Sequence, residues 1–370
     1  MDILILGNGF DIAHGLKTKY SDFLEYCATQ LNRPLAYKPS DVFFTNMWIR
    51  HFLNVQQQLG DTWIDLEKEI YNVVKHISKL PIINTQNYYS QFSIDFNDIR
   101  FNFYNFDKYT TEAFGRYEAG PSGYVRYDEH NCISYHVYFS NSKGVINFLY
   151  DQLREFTILF EKYLLDKVLE PLEEKSRFQL SLRAIGVNEG SKDVHVLSFN
   201  YTDTCERLYK YKFNTYCDIK IKPVYVHGKA EEGNANLVLG THSFYNYLPN
   251  LINEAISVDF NIFKKHNQRH KYGTIEAYQE LHRKIKKSRS IPVFHIIGHS
   301  LDSTDENILK HILLANSDSI INIYYHNEEL QERLMHKIDT IIGEDEVMAK
   351  VRFIHQHDAK RGILIPVEEK

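Results

Sequence analysis

Two glycines flank an asparagine at the end of a short apolar run. Ile3-Leu4-Ile5-Leu6 passes directly into Gly7-Asn8-Gly9, followed by Phe10, Asp11 and His14. A Gly-x-Gly turn between a buried strand and a helix brings backbone close to a phosphate or a sugar, because no Cβ intervenes. Asp11 and His14 lie one helical turn apart and share a face. Similar punctuation recurs downstream: Ser198-Phe199-Asn200-Tyr201-Thr202-Asp203, His227-Gly228, Gly240-Thr241-His242, and Gly298-His299-Ser300 with Asp302. Each has a structural reading of its own. Gly-x-Gly makes turns, Asn200 can cap the helix that follows it, Ser300 and Asp302 can cap the next, and Asp11 suits a helix start. A histidine such as His227, titrating near neutrality, can also move a proton. Five polar or glycine-bearing strand ends facing one rim would make a site.

For those residues to meet, the strands that carry them must be parallel neighbours. Residues 2–6 read as a central strand, apolar on both faces. Beyond residue 192, strands at 193–200, 222–229, 235–242, 291–300, 319–326 and near 351–355 alternate with helical stretches at 202–212, 244–289, 304–315 and 327–342. That alternation predicts an α/β fold: a doubly wound, mainly parallel, Rossmann-like sheet with a large, mostly helical insertion after the first strand. The predicted core is 1–16 with 192–370, and the insertion is 17–191. Within the insertion, 17–79 and 145–174 show helical periodicity. Residues 81–140, crowded with Tyr and Phe, read as irregular structure with short strands and as a candidate regulatory or assembly surface.

Composition narrows the function. Of 370 residues 43% are hydrophobic and 25% charged, enough for a sizeable core. The net charge of −5 gives no general drive toward nucleic acid. No apolar run approaches a membrane span, and "ILIL" is too short for a signal-peptide core, so the expectation is a cytoplasmic chain without a membrane partner. Cys27, Cys132, Cys205 and Cys217 are scattered, which predicts reduced buried thiols rather than zinc or disulfides. His266 and His270 stand i, i+4 without a third ligand, and no metal is expected. The basic stretches 264–271 and 282–289 read as solvated helix faces, and Trp63-Ile64-Asp65-Leu66-Glu67 as an acidic helix start.

Two resemblances sharpen this. The opening "LGNGFDIAHGL", the following Tyr20-Ser21-Asp22-Phe23 and the Trp63-x-Asp65-x-Glu67 segment resemble the bacterial abortive-infection AbiH family over most of the chain. The order "GNGFD", "SFNYTD", "HG", "GHS" is similar to that of sirtuin-like NAD-binding domains. Asn8 replaces a small residue there, the acid of the second motif falls at Thr202 or Asp203, and the zinc-binding cysteine pairs are absent. The resemblance implies an anti-phage effector that binds and hydrolyses NAD at the nicotinamide–ribose bond, with NAD as substrate or ligand and no required cofactor. Asn200 would hold the ribose or a water, and His227 would accept a proton. Gly7, Asn8, Gly9, Phe10, Asp11, His14, Asp203, Gly298, His299, Ser300 and Asp302 would hold the nucleotide, the backbone N–H groups of residues 7–10 taking the phosphates. A phage-derived or partner-protein trigger and a homo-oligomer are compatible with it. The alternatives are an enzyme acting on RNA, tRNA or DNA, and a module that senses a nucleotide without cleaving it.

Overall fold

The computed structural model describes residues 1–31, 46–59, 65–78, 90–95, 101–105, 123–127, 133–139, 142–172, 179–180, 193–208, 223–241, 260–355 and 364–365. In chain order these begin with β1 (Asp2–Leu6), α1 (Asn8–Ala13), α2 (Tyr20–Leu31), α3 (Met47–Leu59) and α4 (Leu66–Ser78). Four strands follow, β2 (Ser90–Asp95), β3 (Phe101–Asn105), β4 (Gly123–Tyr127) and β5 (Ile133–Phe139), then α5 (Ser142–Tyr163), β6 (Gln179–Leu180), β7 (Val194–Ser198) and β8 (Val224–Tyr225). The last part holds α6 (Lys265–Lys271), α7 (Ile275–Lys286), β9 (Val293–Ile297), α8 (Glu306–Leu313), β10 (Ile320–Tyr325), α9 (Glu328–Ile342), α10 (Glu344–Lys350), β11 (Val351–His355) and β12 (Leu364–Ile365).

The chain divides into two compact units, one of Met1–Lys19, Phe160–His242 and Gln268–Lys370, the other of Tyr20–Leu159 and Ser243–Asn267. The expectation had drawn the boundaries at 16, 17, 191 and 192; here the chain from Phe160 groups with the sheet, and 243–267 groups with the second unit.

The first unit is built on a six-stranded sheet in the order β11-β10-β9-β1-β7-β8. Every pairing in it is parallel. β1 lies inside the sheet, with Leu4 opposite Val196 on one side and His295 on the other. Its alternate side chains enter two separate cores. Ile3 and Ile5 join Leu197, Phe294 and Ile296 beneath Tyr278, Leu281 and Ile285 of α7, Leu309 and Ile312 of α8 and Leu334 and Ile338 of α9. Leu4 and Leu6 face the other way, onto Phe10, Val196, Cys205 and Ile297. An apolar residue at every position from Ile3 to Leu6 is what a strand covered on both faces requires. The chain moves outward from β1 to β7 and β8, then returns across β1 to β9, β10 and β11, so the strand order reverses between β1 and β9.

The expected strand at 235–242 is not found over 235–240, which pair in no ladder; Ala235 has φ +43, Thr241 holds a single bridge, and His242 lies outside the described residues. Gln268 replaces the missing strand partner at one residue, its side-chain amide taking both the N–H (3.0 Å) and the carbonyl (2.9 Å) of Leu239.

In the second unit, Trp48 and Phe52 of α3, Phe23 of α2 and Phe156 of α5 form an aromatic core, with Phe156 lying 5.3 Å from Phe23 and 5.2 Å from Phe52 between ring centres. Asn46 caps α3, its Oδ1 accepting from Trp48 N and Ile49 N, and Asp65 caps α4 by accepting from Lys68 N. Strands β2–β5 form one antiparallel sheet in the order β3-β2-β5-β4. The short strands expected within 81–140 are present, and they pair into one sheet rather than standing in irregular structure, in keeping with the strand preference of aromatic residues. Among the described residues no helix is long and apolar enough to cross a membrane.

Candidate active site

The turn after β1 and the turn after β9 are pressed together. Gly7 N–H donates to Ile297 O at 3.1 Å, Gly9 N–H to Gly298 O at 2.7 Å, and Phe10 N–H to Gly7 O at 2.8 Å. A Cβ on Gly9 would stand 2.8 Å from Gly298 Cα, and Gly298 has φ +64 with the backbone of Gly9 and Phe10 against it. The glycines are thus required by the approach of two protein backbones. The expectation that the N–H groups of residues 7–10 receive phosphates is corrected here for three of the four, since Gly7, Gly9 and Phe10 spend theirs inside the protein.

Behind this seam α1 turns Asp11 inward to 1% exposure. Thr202 donates its hydroxyl to Asp11 Oδ2, and Thr204 donates to Thr202 Oγ1 at 3.0 Å. Asp11 Oδ1 and Asn200 Oδ1 are buried with no hydrogen-bond partner among the described residues, as is Thr241 Oγ1. Asn200 itself is 4% exposed, with its N–H donated to Ser198 Oγ at 3.2 Å. Burial pushes the Asp11 carboxyl up to about 7; Thr202, Thr204 and Asn200 pull it down, and the Asp203 charge adds a small push upward.

A second polar group stands at the ends of β8 and β9. His227 Nε2 lies 3.0 Å from Asp305 Oδ1, Arg269 Nη2 lies 3.2 Å from the same oxygen, and the same Nη2 is 3.4 Å from His227 Nδ1. A guanidinium only donates, so Nδ1 must accept. This assigns His227 as the neutral tautomer, with Nε2–H donated to Asp305. His299 completes the group: its Nδ1 accepts Leu301 N–H at 2.9 Å, and its Nε2 faces Asp305 Oδ2 at 3.9 Å. Phe199 packs between the two imidazoles, 4.4 Å from the His299 ring centre and 5.6 Å from that of His227.

The other residues singled out from sequence are placed as follows. Asn8 is exposed, and its amide is tied to Thr18, whose hydroxyl donates to Asn8 Oδ1 at 2.6 Å. Phe10 is a core residue. His14 is buried at the end of α1, its Nδ1 2.7 Å from Phe10 O, and burial lowers its pKa. Asp203 pairs with Arg207 at 2.6 Å. Ser300 is exposed, and Asp302 caps the turn before α8 by accepting Thr304 N–H at 3.3 Å while Lys337 lies 3.7 Å away. Neither Ser300 nor Asp302 enters the buried groups. Trp63 and His242 lie outside the described residues, as do Cys132 and Cys217; Cys27 and Cys205 are buried free thiols.

Sequence reasoning missed Arg269 and Asp305. Arg269 belongs to the basic stretch 264–271, expected to be a solvated face, yet Lys265, Gln268 and Arg269 are 2%, 3% and 5% exposed. The correction is physical: each has a buried polar partner, Lys265 meeting Glu67 at 2.6 Å within the second unit, Gln268 the Leu239 backbone, and Arg269 Asp305. The stretch 282–289 does lie mostly exposed. Among the described residues, no group of three or more His, Cys, Asp or Glu side chains is arranged to hold a metal ion.

Two things can be done chemically here. The buried acceptors on Asp11 and Asn200 can receive hydrogen bonds from hydroxyl or amide groups, and the carboxyl of Asp11 can gain or lose a proton near neutrality. No curated protein matches the chain. The family model described as bacteriophage abortive infection AbiH matches residues 3–326, a span that contains every group of the rim from Gly7 to Asp305. The chain therefore belongs to the AbiH family, and its role is in abortive-infection defence against phage.

Proposed function

We propose that this chain is the effector of that defence by acting on a nucleotide at the rim, binding NAD and hydrolysing its nicotinamide–ribose bond. The sheet supports a Rossmann-like reading. Counting only its own strands in chain order, the arrangement is 3-2-1-4-5-6, the order in which dinucleotides lie outside the carboxyl ends of the strands where the order reverses. The observation that carries the proposal is the pair of unsatisfied acceptors beside that reversal, Asp11 Oδ1 and Asn200 Oδ1. An unmet buried acceptor costs about 1–3 kcal/mol, and ribose hydroxyls or a carboxamide N–H are donors that would relieve it.

Breaking the nicotinamide–ribose bond passes through an oxocarbenium-like state. In this reading Asn200 orients the ribose hydroxyls or the attacking water, while the charge-balanced His227–Asp305–Arg269 group fixes the neighbouring wall. The test is nicotinamide release from NAD by purified protein. Wild type should release it, and Asn200→Ala should lose at least ~100-fold. Absence of release by wild type overturns the reading.

A second reading draws on the other end of the sheet. A groove of about 680 Å³ at the amino ends of β1 and β7 is lined by Arg283, Lys284, Lys287 and Arg289, which outnumber the acids Asp193 and Glu280 there; Arg283, Lys287 and Arg289 make no ion pair among the described residues. Such a groove favours a phosphate-rich strand. Cleavage of RNA or DNA by wild type with NAD left intact would favour this reading over the first.

A further inference from the structure

The NAD-hydrolysis reading leaves open which group takes the proton of the attacking water. His227 is the obvious candidate by residue type, but both of its ring nitrogens are engaged: Nε2 with Asp305 at 3.0 Å and Nδ1 with Arg269 at 3.4 Å. His299 accepts a backbone N–H on one nitrogen and turns the other toward Asp305. Asp305 is shared by His227 and Arg269. The acid with unused capacity is Asp11. One oxygen is held by Thr202, which is itself backed by Thr204, so the carboxylate has a fixed orientation; the other oxygen has no partner among the described residues and lies by Asn200.

We propose that Asp11, through Oδ1, is the general base that accepts the proton of the attacking water, with Asn200 positioning that water. The proposal rests on the NAD-hydrolysis reading and names its catalytic residue. In the step, one O–H bond of water breaks and its electrons form the bond to the anomeric carbon. The carbon–nitrogen bond breaks with its pair passing to the pyridinium ring, which leaves as neutral nicotinamide. The proton lands on Asp11 and returns to solvent, so the sum is water plus NAD giving ADP-ribose, nicotinamide and a proton.

The surroundings of Asp11 suit that duty. Burial raises its carboxyl to about 7, so it is poised between proton acceptor and donor in neutral solution. Asp203, on the loop after β7, is the charge acting on it, and Cys205, at the start of the next helical turn, is a thiol whose own pKa is raised by burial and by the charges of Glu206 and Asp11. His14, on the next turn of α1, is bound to the Phe10 carbonyl and made less basic by burial. None of these supplies a cation to hold Asp11 permanently ionised.

The experiment compares wild type, Asp11→Asn and Thr202→Val for nicotinamide release across pH, with ADP-ribose binding followed by calorimetry. Wild-type kcat should climb through an acid limb near neutrality. Asp11→Asn should lose about 100-fold or more in kcat while still binding ADP-ribose. Thr202→Val removes a hydrogen bond that stabilises the carboxylate, so its acid limb should move to higher pH. This variant tests the proposal even where Asp11→Asn does not fold. An active Asp11→Asn with an unmoved limb, or a Thr202→Val limb that stays in place, overturns the proposal and leaves the NAD reading standing. A wild type that releases no nicotinamide at any pH overturns both.

Discussion

Gly9 gives its N–H to the carbonyl of Gly298 across 2.7 Å, and a Cβ on either one would lie within 3 Å of the other's Cα. Two strand ends that are neighbours in the sheet, though distant in sequence, are thereby sealed backbone to backbone, and the packing leaves no room for a side chain. Gly298→Ala combines a left-handed φ with a collision against Gly9 and Phe10. It should destabilise the protein by about 3 kcal/mol or more. Gly233→Ala is the control: φ is +76 but nothing lies within 4 Å of the added carbon, so only the dihedral term of about 1 kcal/mol applies. Urea midpoints of the two variants measure the difference.

Asp305 should matter more to stability than Asn200 does. Asp305→Ala leaves Arg269 buried without its carboxylate and removes the acceptor of His227 Nε2–H, a loss of about 3–5 kcal/mol. Asn200 Oδ1 has no partner to lose, and its side chain gives up only the pull it exerts on the Asp11 carboxyl, so Asn200→Ala should cost about 1–2 kcal/mol, less than Asp305→Ala, while nicotinamide release disappears. Equal destabilisation by the two would place Asn200 in the scaffold instead.

The raised Asp11 carboxyl sets a pH dependence of stability. Its folded pKa, about 7, lies above the ordinary carboxylate value. The folded state therefore binds this proton more tightly than the unfolded chain does, and the contribution is full below the unfolded pKa and is lost as pH rises through about 7. The slope in that window is at most about 1.4 kcal/mol per pH unit. Asp11→Asn does not titrate there. Melting temperatures at about pH 5 and about pH 8 should fall further for wild type than for the variant, and parallel curves would contradict the raised carboxyl.

In the second unit, Lys265 and Glu67 form a buried ion pair at 2.6 Å. Lys265→Met strands Glu67 and should cost about 3–5 kcal/mol, while the double variant with Glu67→Leu recovers much of it. The exposed pair Lys284–Glu280 has the same residue types at 3.0 Å, and Lys284→Ala should leave the denaturation midpoint unchanged.

These contrasts show what the sequence makes legible. The strands around the site are readable because Ile3–Leu6, Val194–Ser198 and Val293–Ile297 are apolar in runs bounded by glycine or polar residues, a local property. Asn200 and His227 are readable because they stand where such runs stop. Arg269 and Asp305 are not. Asp305 is one of three acids in Asp302-Ser303-Thr304-Asp305-Glu306, and only the turn, which points Asp302 at Thr304 N–H and Asp305 at His227, separates a cap from a site residue. Arg269 lies among seven basic or amide side chains in 264–271, and its burial depends on an acid that arrives 36 residues later. The failed strand at 235–242 has a similar cause: its apolar pattern is real, but the partner of Leu239 is a glutamine side chain rather than a strand.

The placement of β1 also has a temporal consequence. Its partner on one side begins at Val194 and on the other at Val293. At about 5–20 residues per second, a ribosome takes roughly 15–60 s to supply the second neighbour after making the first strand. Until Val194–Ser198 is made both edges of the strand are unpaired, and the edge that β9 covers stays open for the whole interval; Gly298 does not yet exist to meet Gly9, Asp305 is absent throughout, and Arg269 is absent for most of it. A nascent or prematurely ended chain thus has no assembled rim. Under the proposed function, a copy still being made would therefore lack the site on which its action depends.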